Sequence, residues 1–253
     1  MDRTNRELKT LIFDMELSYS LYFAFPSNKP QFLHSSQLHT RAYVPCFSWK
    51  WAHEAKARVM SVLDDKKQFK NDYMNDYALA VKLHSLMDEA DIIVAHNADR
   101  FDIKQANTLF IDHGLGPIGE YKSVDTLKVA RKYFAFEGNS LAALCERFEI
   151  EGKGEKPCWK ALTLGDSKAI KEASVYCLQD TYALEGVFEK LRPYIKRYPS
   201  LRRPHEEVTE CAGCKSKRLR NKGADFGGVG LVYRIKCLEC GMNMHSKKMY
   251  KQR

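Results

Sequence analysis

Residues 8–17 (LKTLIFDMEL) carry an apolar stretch, Leu11 to Phe13, that two acids enter at positions 14 and 16, the pattern of a buried strand whose carboxyl end emerges into a polar setting. Two more β-like runs follow at 20–25 and 42–51, and three strands in succession predict an antiparallel meander. From about residue 76 the apolar positions Tyr77, Leu79, Val81, Leu83, Leu86 and Met87 recur at close to helical spacing, and 91–95 (DIIVA) returns to a buried strand. Strand and helix then alternate. The pattern predicts a helix over 102–113 closed by Gly114, a short strand over 123–126, helices over 127–134 and 141–148, and one or two helices over 166–194. The Gly-, Lys- and Glu-rich stretch 149–160 reads as a surface loop, and Pro193, Pro199 and Pro204 among basic residues mark a linker. The expected organisation is a body over 1–196, a linker over 197–206 and a small module over 207–253.

With 44% hydrophobic and 29% charged residues the chain can bury a core, which argues against a disordered or fibrous protein. It has no apolar run of ~18 residues, and residues 1–7 lack the apolar stretch of a secretory signal. A soluble, cytoplasmic protein with no membrane partner is expected. Charge is unevenly placed: residues 201–253 hold 13 Lys and Arg against 5 Asp and Glu, so +8 of the net +9 lies there, and the module faces a polyanion. Of eight cysteines, Cys46, Cys145, Cys158 and Cys177 are scattered and read as packing thiols, whereas four form two close pairs. This division suits a reducing compartment.

On a pleated strand Asp14 and Glu16 point to one face, and Phe13, Met15 and Leu17 to the other. Two acids on one face of an apolar strand are costly unless a cation sits between them, although acids at the exposed end of an edge strand are also common. Residues 96–102 (HNADRFD) stand where the DIIVA strand gives way to a helix, the end of a strand at which α/β sheets bind ligands. Asp102 is equally suited there to capping its helix. Tyr176 and Asp180, four residues apart, share one helical face.

In order and context, Asp14-Met15-Glu16, Asn97-Ala98-Asp99-Arg100-Phe101-Asp102 and Tyr176-Cys177-Leu178-Gln179-Asp180 resemble the three motifs of the DnaQ-like 3′–5′ exonucleases, the DEDD superfamily. The resemblance extends over about residues 8–195. Val124-Asp125-Thr126-Leu127 and 176–183 (YCLQDTYA) are similar to the exonuclease part of family B DNA polymerases and their stand-alone phage and bacterial relatives. Val175 stands where the His-type branch has its histidine, which favours the Tyr branch; Leu17 stands where Thr or Ser is frequent, with Ser18 next.

The resemblance implies an α/β protein of RNase H-like fold, a mixed sheet flanked by helices, that hydrolyses phosphodiester bonds from the 3′ end of DNA, single-stranded above all. It implies two Mg²⁺ or Mn²⁺ ions, one held by Asp14, Glu16 and Asp180 and the other by Asp14 with Asp102. Tyr176 would orient the water, and Asn97 and Phe101 would support the substrate. DNA or RNA, and replication or repair proteins, are the implied partners, in a host cytoplasm if the chain is phage-encoded. Carboxylates are the right ligands for such hard cations, and two of them meet the needs of phosphodiester hydrolysis. The alternatives are an exoribonuclease and a non-catalytic nucleic-acid-binding or protein-docking factor; retention of all four acids and Tyr176 favours the enzyme.

Cys211-Ala-Gly-Cys214 and Cys237-Leu-Glu-Cys240, 22 residues apart, have the ligand spacing of a zinc ribbon with one structural Zn²⁺. A redox CxxC is the alternative, but thioredoxin-like surroundings are missing. A module of ~45 residues buries too little surface alone, so the metal would hold it folded. Lys215, Lys217, Arg218, Arg220 and Lys222 between the pairs, and Lys247, Lys248, Lys251 and Arg253 after them, point to nucleic-acid backbone contact; solubility and a protein partner are the alternatives.

Overall fold

The computed structural model describes residues 8–195 and 208–246 apart from 28, 30, 153, 212, 228 and 229. The expected linker and the basic residues Lys247, Lys248, Lys251 and Arg253 lie outside the described residues.

The chain opens with β1 (Thr10–Glu16), β2 (Leu21–Tyr22), β3 (Leu38–Thr40), β4 (Cys46–Trp51) and β5 (Arg58–Ser61). There follow α1 (Lys66–Asn71), α2 (Tyr77–Glu89), β6 (Ile92–Ala95), α3 (Asp102–Asp112), β7 (Lys122–Asp125), α4 (Thr126–Tyr133), α5 (Leu141–Phe148), α6 (Trp159–Thr163) and α7 (Ser167–Leu191). Five strands form one sheet in the order β5-β4-β1-β6-β7. In it β1 runs antiparallel to β4 and parallel to β6, and β6 is parallel to β7. Alternation along β1 sends Leu11, Phe13 and Met15 into a core with Leu83, Met87 and Phe110 of α2 and α3, while Ile12 joins Leu144, Leu184 and Phe188 of α5 and α7. Helices thus cover both faces of a mixed sheet, as the RNase H-like resemblance implies.

The predicted meander is corrected in its middle member. The 20–25 run contributes β2, which pairs with β3 in a separate two-stranded sheet, while β1, β4 and β5 form the antiparallel part of the main one. The reason is burial: all six residues of β4 are buried, whereas Phe23 and Phe25 are exposed, so aromatic β-propensity alone had suggested a core strand. The 166–194 segment is one 25-residue helix, α7, followed by a short 3-10 turn. Ser48 of β4 ties it to the sheet by donating to the Cys177 carbonyl at 2.7 Å.

Beyond the body, β8 (Leu219–Gly227), β9 (Gly230–Cys237) and β10 (Asn243–Ser246) form an antiparallel sheet in the order β10-β9-β8. Its small core gathers Val208, Leu219, Ile235, Met242 and Met244 around the buried Cys211 and Cys237. This module touches the turn after α7, where Asn243 Nδ2 donates to the Pro193 carbonyl at 2.8 Å. Gly241 has φ +73°, and a Cβ there would lie 2.7 Å from the Pro193 Cβ, so both backbone conformation and close approach require glycine. Among the described residues no helix is long and apolar enough to cross a membrane.

Candidate active site and cysteine centre

The parallel register of β1 and β6 places Ile12 beside Val94, and continuing it puts Asp14 level with His96, just past the end of β6. The acidic end of β1 therefore overhangs the 96–101 turn. Carboxylate oxygens of Asp14 and Glu16 and the Cys177 Sγ all lie within 4.8 Å of one another. Asp180 sits three residues beyond Cys177 on α7, close to one turn along the same helix, and Tyr176 immediately precedes Cys177; both are buried, at 4% and 6% exposure.

Asp102 feels the charge of Asp14 in this cluster. It is the first residue of α3, with Phe101 in the cap position, and it is 2% exposed. Burial, and next the charge of Asp14, raise its carboxyl well above the usual carboxylate range, while hydrogen bonds from its own backbone and that of Met15 work in the opposite direction. Cys177 belongs to the site although no motif position marks it as more than a packing thiol. Its thiol stands 3.4 Å from the Asp14 carbonyl and 3.3 Å from Ser48 Oγ. Burial, then Cys46, Asp14 and Glu16, push it well above the ordinary thiol range. Its one sequence signal is its place between Tyr176 and Asp180.

The turn that presents Asp102 is built on Asp125, which lies in a segment that carries the family resemblance but to which the sequence pattern gives no role. Asp125 Oδ1 accepts from the amides of Asn97 at 3.1 Å, Leu127 at 3.0 Å and Lys128 at 3.2 Å, and Oδ2 accepts from Asp99 at 3.4 Å. One carboxylate thus caps α4 and clamps the turn. Its signal is an Asp at a strand end directly before a helix. Asn97 has φ +68°, a left-handed conformation that Asn tolerates better than most residues, and its carbonyl accepts from the Arg100 and Phe101 amides. His96 Nδ1 lies 2.9 Å from Thr126 Oγ1. Phe101 leaves its ring 38% exposed beside Asp102.

The four paired cysteines form a separate centre. Their Sγ atoms lie within 4.8 Å of one another, with Cys211 to Cys240 at 3.4 Å and Cys214 to Cys237 at 3.6 Å. A tetrahedron with Zn–S bonds of ~2.3 Å has edges of ~3.8 Å, so the donor set fits zinc in size as well as chemistry. The residue after each pair, Lys215 and Gly241, has a left-handed backbone, so the two knuckles turn alike. Burial raises the Cys237 thiol, but the amides of Cys240 and Glu239, with the thiols of Cys214 and Cys211, more than reverse this and bring it down to about 7.

Residues 54–161 match the exonuclease family. The matched stretch contains Asn97, Phe101 and Asp102 but not Asp14, Glu16, Tyr176 or Asp180. Over 123 residues the chain is 26% identical to the DNA polymerase III PolC-type of Ureaplasma parvum, covering 47% of this chain and 8% of that protein. In fold it is similar to the family B DNA polymerase of the hyperthermophilic archaeon Pyrobaculum calidifontis, with a TM-score of 0.53 and 15% identity over 77% of this chain and 26% of that one. The chain thus corresponds to a minor part of the length of both relatives.

Proposed function

We propose that this chain is a metal-dependent 3′–5′ exonuclease that shortens DNA, preferring single strands. In this reading 1–196 is the catalytic domain, 197–206 a linker and 207–253 a zinc ribbon that helps to hold nucleic acid. The observation that carries the reading is the crowding of acids where β1 ends, with the buried Asp102 carboxyl raised by the charge of Asp14. Like charges so placed are stable together only with a proton or a cation among them. The acidic donors are carboxylate oxygens, so the set fits hard cations such as Mg²⁺ or Mn²⁺. Asp14, Glu16 and Asp180 would hold one ion, and Asp14 with Asp102 the second. When bound, two such ions supply positive charge for the transferring phosphate and the leaving 3′ oxygen and acidify water.

The remaining work belongs to side chains. Tyr176 would orient the attacking water through its hydroxyl. The exposed Phe101 ring supports the terminal nucleotide, with Asn97 beside it. Both relatives are DNA polymerases by name, which favours DNA and, as protein partners, the replication or repair machinery of a cytoplasm. The test is a labelled single strand, as DNA and as RNA of equal sequence, incubated with Mg²⁺ or Mn²⁺ and resolved as a ladder. DNA should shorten from its 3′ end, a 3′-phosphate should block it, and a 5′ block should not. Fragments released from a circular single strand would show an endonuclease and overturn the reading; faster loss of the RNA would move it to an exoribonuclease.

A further inference from the structure

Residues 17–53 contain no Asp or Glu in 37 positions, although at the chain's own frequency of 32 in 253 about four or five would be expected. They do contain Lys29 and Arg41, both exposed, with Arg41 Nη1 3.6 Å from Asp112 Oδ1. Within this run the β2–β3 arm leaves the carboxyl end of β1 directly after Glu16. Its base is fixed: the Tyr19 amide donates to Thr163 Oγ1 at 2.9 Å, the Tyr43 hydroxyl to the Leu162 carbonyl at 2.7 Å, and the Tyr43 amide to Ser18 Oγ at 2.9 Å. The arm also has internal bonds, with the Phe23 amide on the Gln37 carbonyl at 2.9 Å and Gln31 Nε2 on the Phe25 carbonyl at 3.0 Å.

On this anchored frame Tyr19, Phe23, Phe25 and Phe32 are 54%, 67%, 86% and 90% exposed, and none belongs to a hydrophobic core of the described residues. Among the described residues only Phe23 of these four has a ring neighbour, His39, edge-on at 4.7 Å. Several exposed aromatic rings carried on one short arm mark an interaction surface. Rings combined with basic residues and an absence of carboxylates are what successive unpaired bases and their phosphates recognise, because every base has a π-face.

We infer that the β2–β3 arm is a stacking platform for the bases of a single strand, next to the site that receives its 3′ end. This rests on the exonuclease reading for its direction, but not for its binding. The test uses the full chain without added Mg²⁺ or Mn²⁺, so that the strand stays whole, and fluorescence anisotropy of a thymidine oligonucleotide about twenty nucleotides long beside an abasic strand of equal length. Phe25→Ser together with Phe32→Ser should weaken binding of the thymidine strand by about tenfold per ring, while the abasic strand binds both proteins alike. The Trp replacements at the same positions should restore affinity. With the ions added, kcat on a dinucleotide should be unchanged. A double variant that binds the thymidine strand as tightly as the wild type, or that loses the abasic strand equally, overturns the inference and leaves the arm as a protein-docking element. So does a wild type that binds no single strand. A wild type that binds through the arm yet cuts nothing sinks the hydrolase reading and leaves this one standing.

Discussion

At Asp102 a carboxylate 2% exposed faces Asp14, so ionising it costs more in the folded chain than in the unfolded one. Its folded pKa is therefore raised, and between the ordinary value and the raised one the native state keeps a proton that the unfolded state has lost. Stability falls as pH rises through that window. Urea unfolding without added Mg²⁺ or Mn²⁺ should show this decline in the wild type and a flatter profile in Asp102→Asn. Titrated Mn²⁺ should raise the Tm of the wild type more than that of the variant. Asp14→Ala or Asp180→Ala should abolish hydrolysis while circular dichroism stays native, since clustered like charges are no source of stability. Substantial cleavage by either purified variant would reject the site. Tyr176→Phe, which removes only the orienting hydroxyl, should slow hydrolysis by ~10²-fold.

Among the elements, the 96–101 turn depends on a residue outside it. Asp125→Ala removes four amide partners at once, which should cost about 2 kcal/mol in urea unfolding. It should also lower activity by loosening the turn that carries Asp102, whereas Asp125→Asn, which keeps an acceptor oxygen, should lose less of both. This clamp shows where sequence legibility ends. The strand of Asp14 and Glu16, the helix begun by Asp102 and the helix of Tyr176 and Asp180 are readable, because each has a strong local period and its side chains' faces follow from that period. That Cys177 lies against Asp14, and that Asp125 holds a turn 26 to 28 residues away, depends on the pairing of β1 with β6 and of β6 with β7, which no local pattern encodes. β5 (RVMS) and α1 (KKQFKN) escape prediction because they hold two apolar residues and one, too few for a period to register. The β2–β3 arm fails in the opposite direction: its aromatic run looks like a core strand until exposure is known.

Across the whole molecule, the acids and the cysteine centre occupy different modules joined through α7 and the Pro193 turn. Arg220 and Lys236 are register partners in β8 and β9, and Lys222 lies on the same groove. Replacing these three with Gln should leave kcat on short substrates unchanged, raise KM on long strands and reduce the logarithmic salt slope by roughly 0.7 to 0.9 for each phosphate no longer neutralised. An unchanged slope would assign the ribbon to a protein partner. Metal analysis should give one zinc per chain, absent from Cys237→Ser whatever the salt result. Helix α7 also sets a length scale. Eleven residues separate Asp180 from Leu191, ~17 Å at ~1.5 Å per residue, and a stacked strand at ~3.4 Å per nucleotide crosses that span with about five nucleotides. On the proposed reading the helix is a ruler between the cutting end and the holding end. Digestion of a long strand should run quickly until the remnant no longer spans it, and oligonucleotides of about five residues should accumulate as limit products.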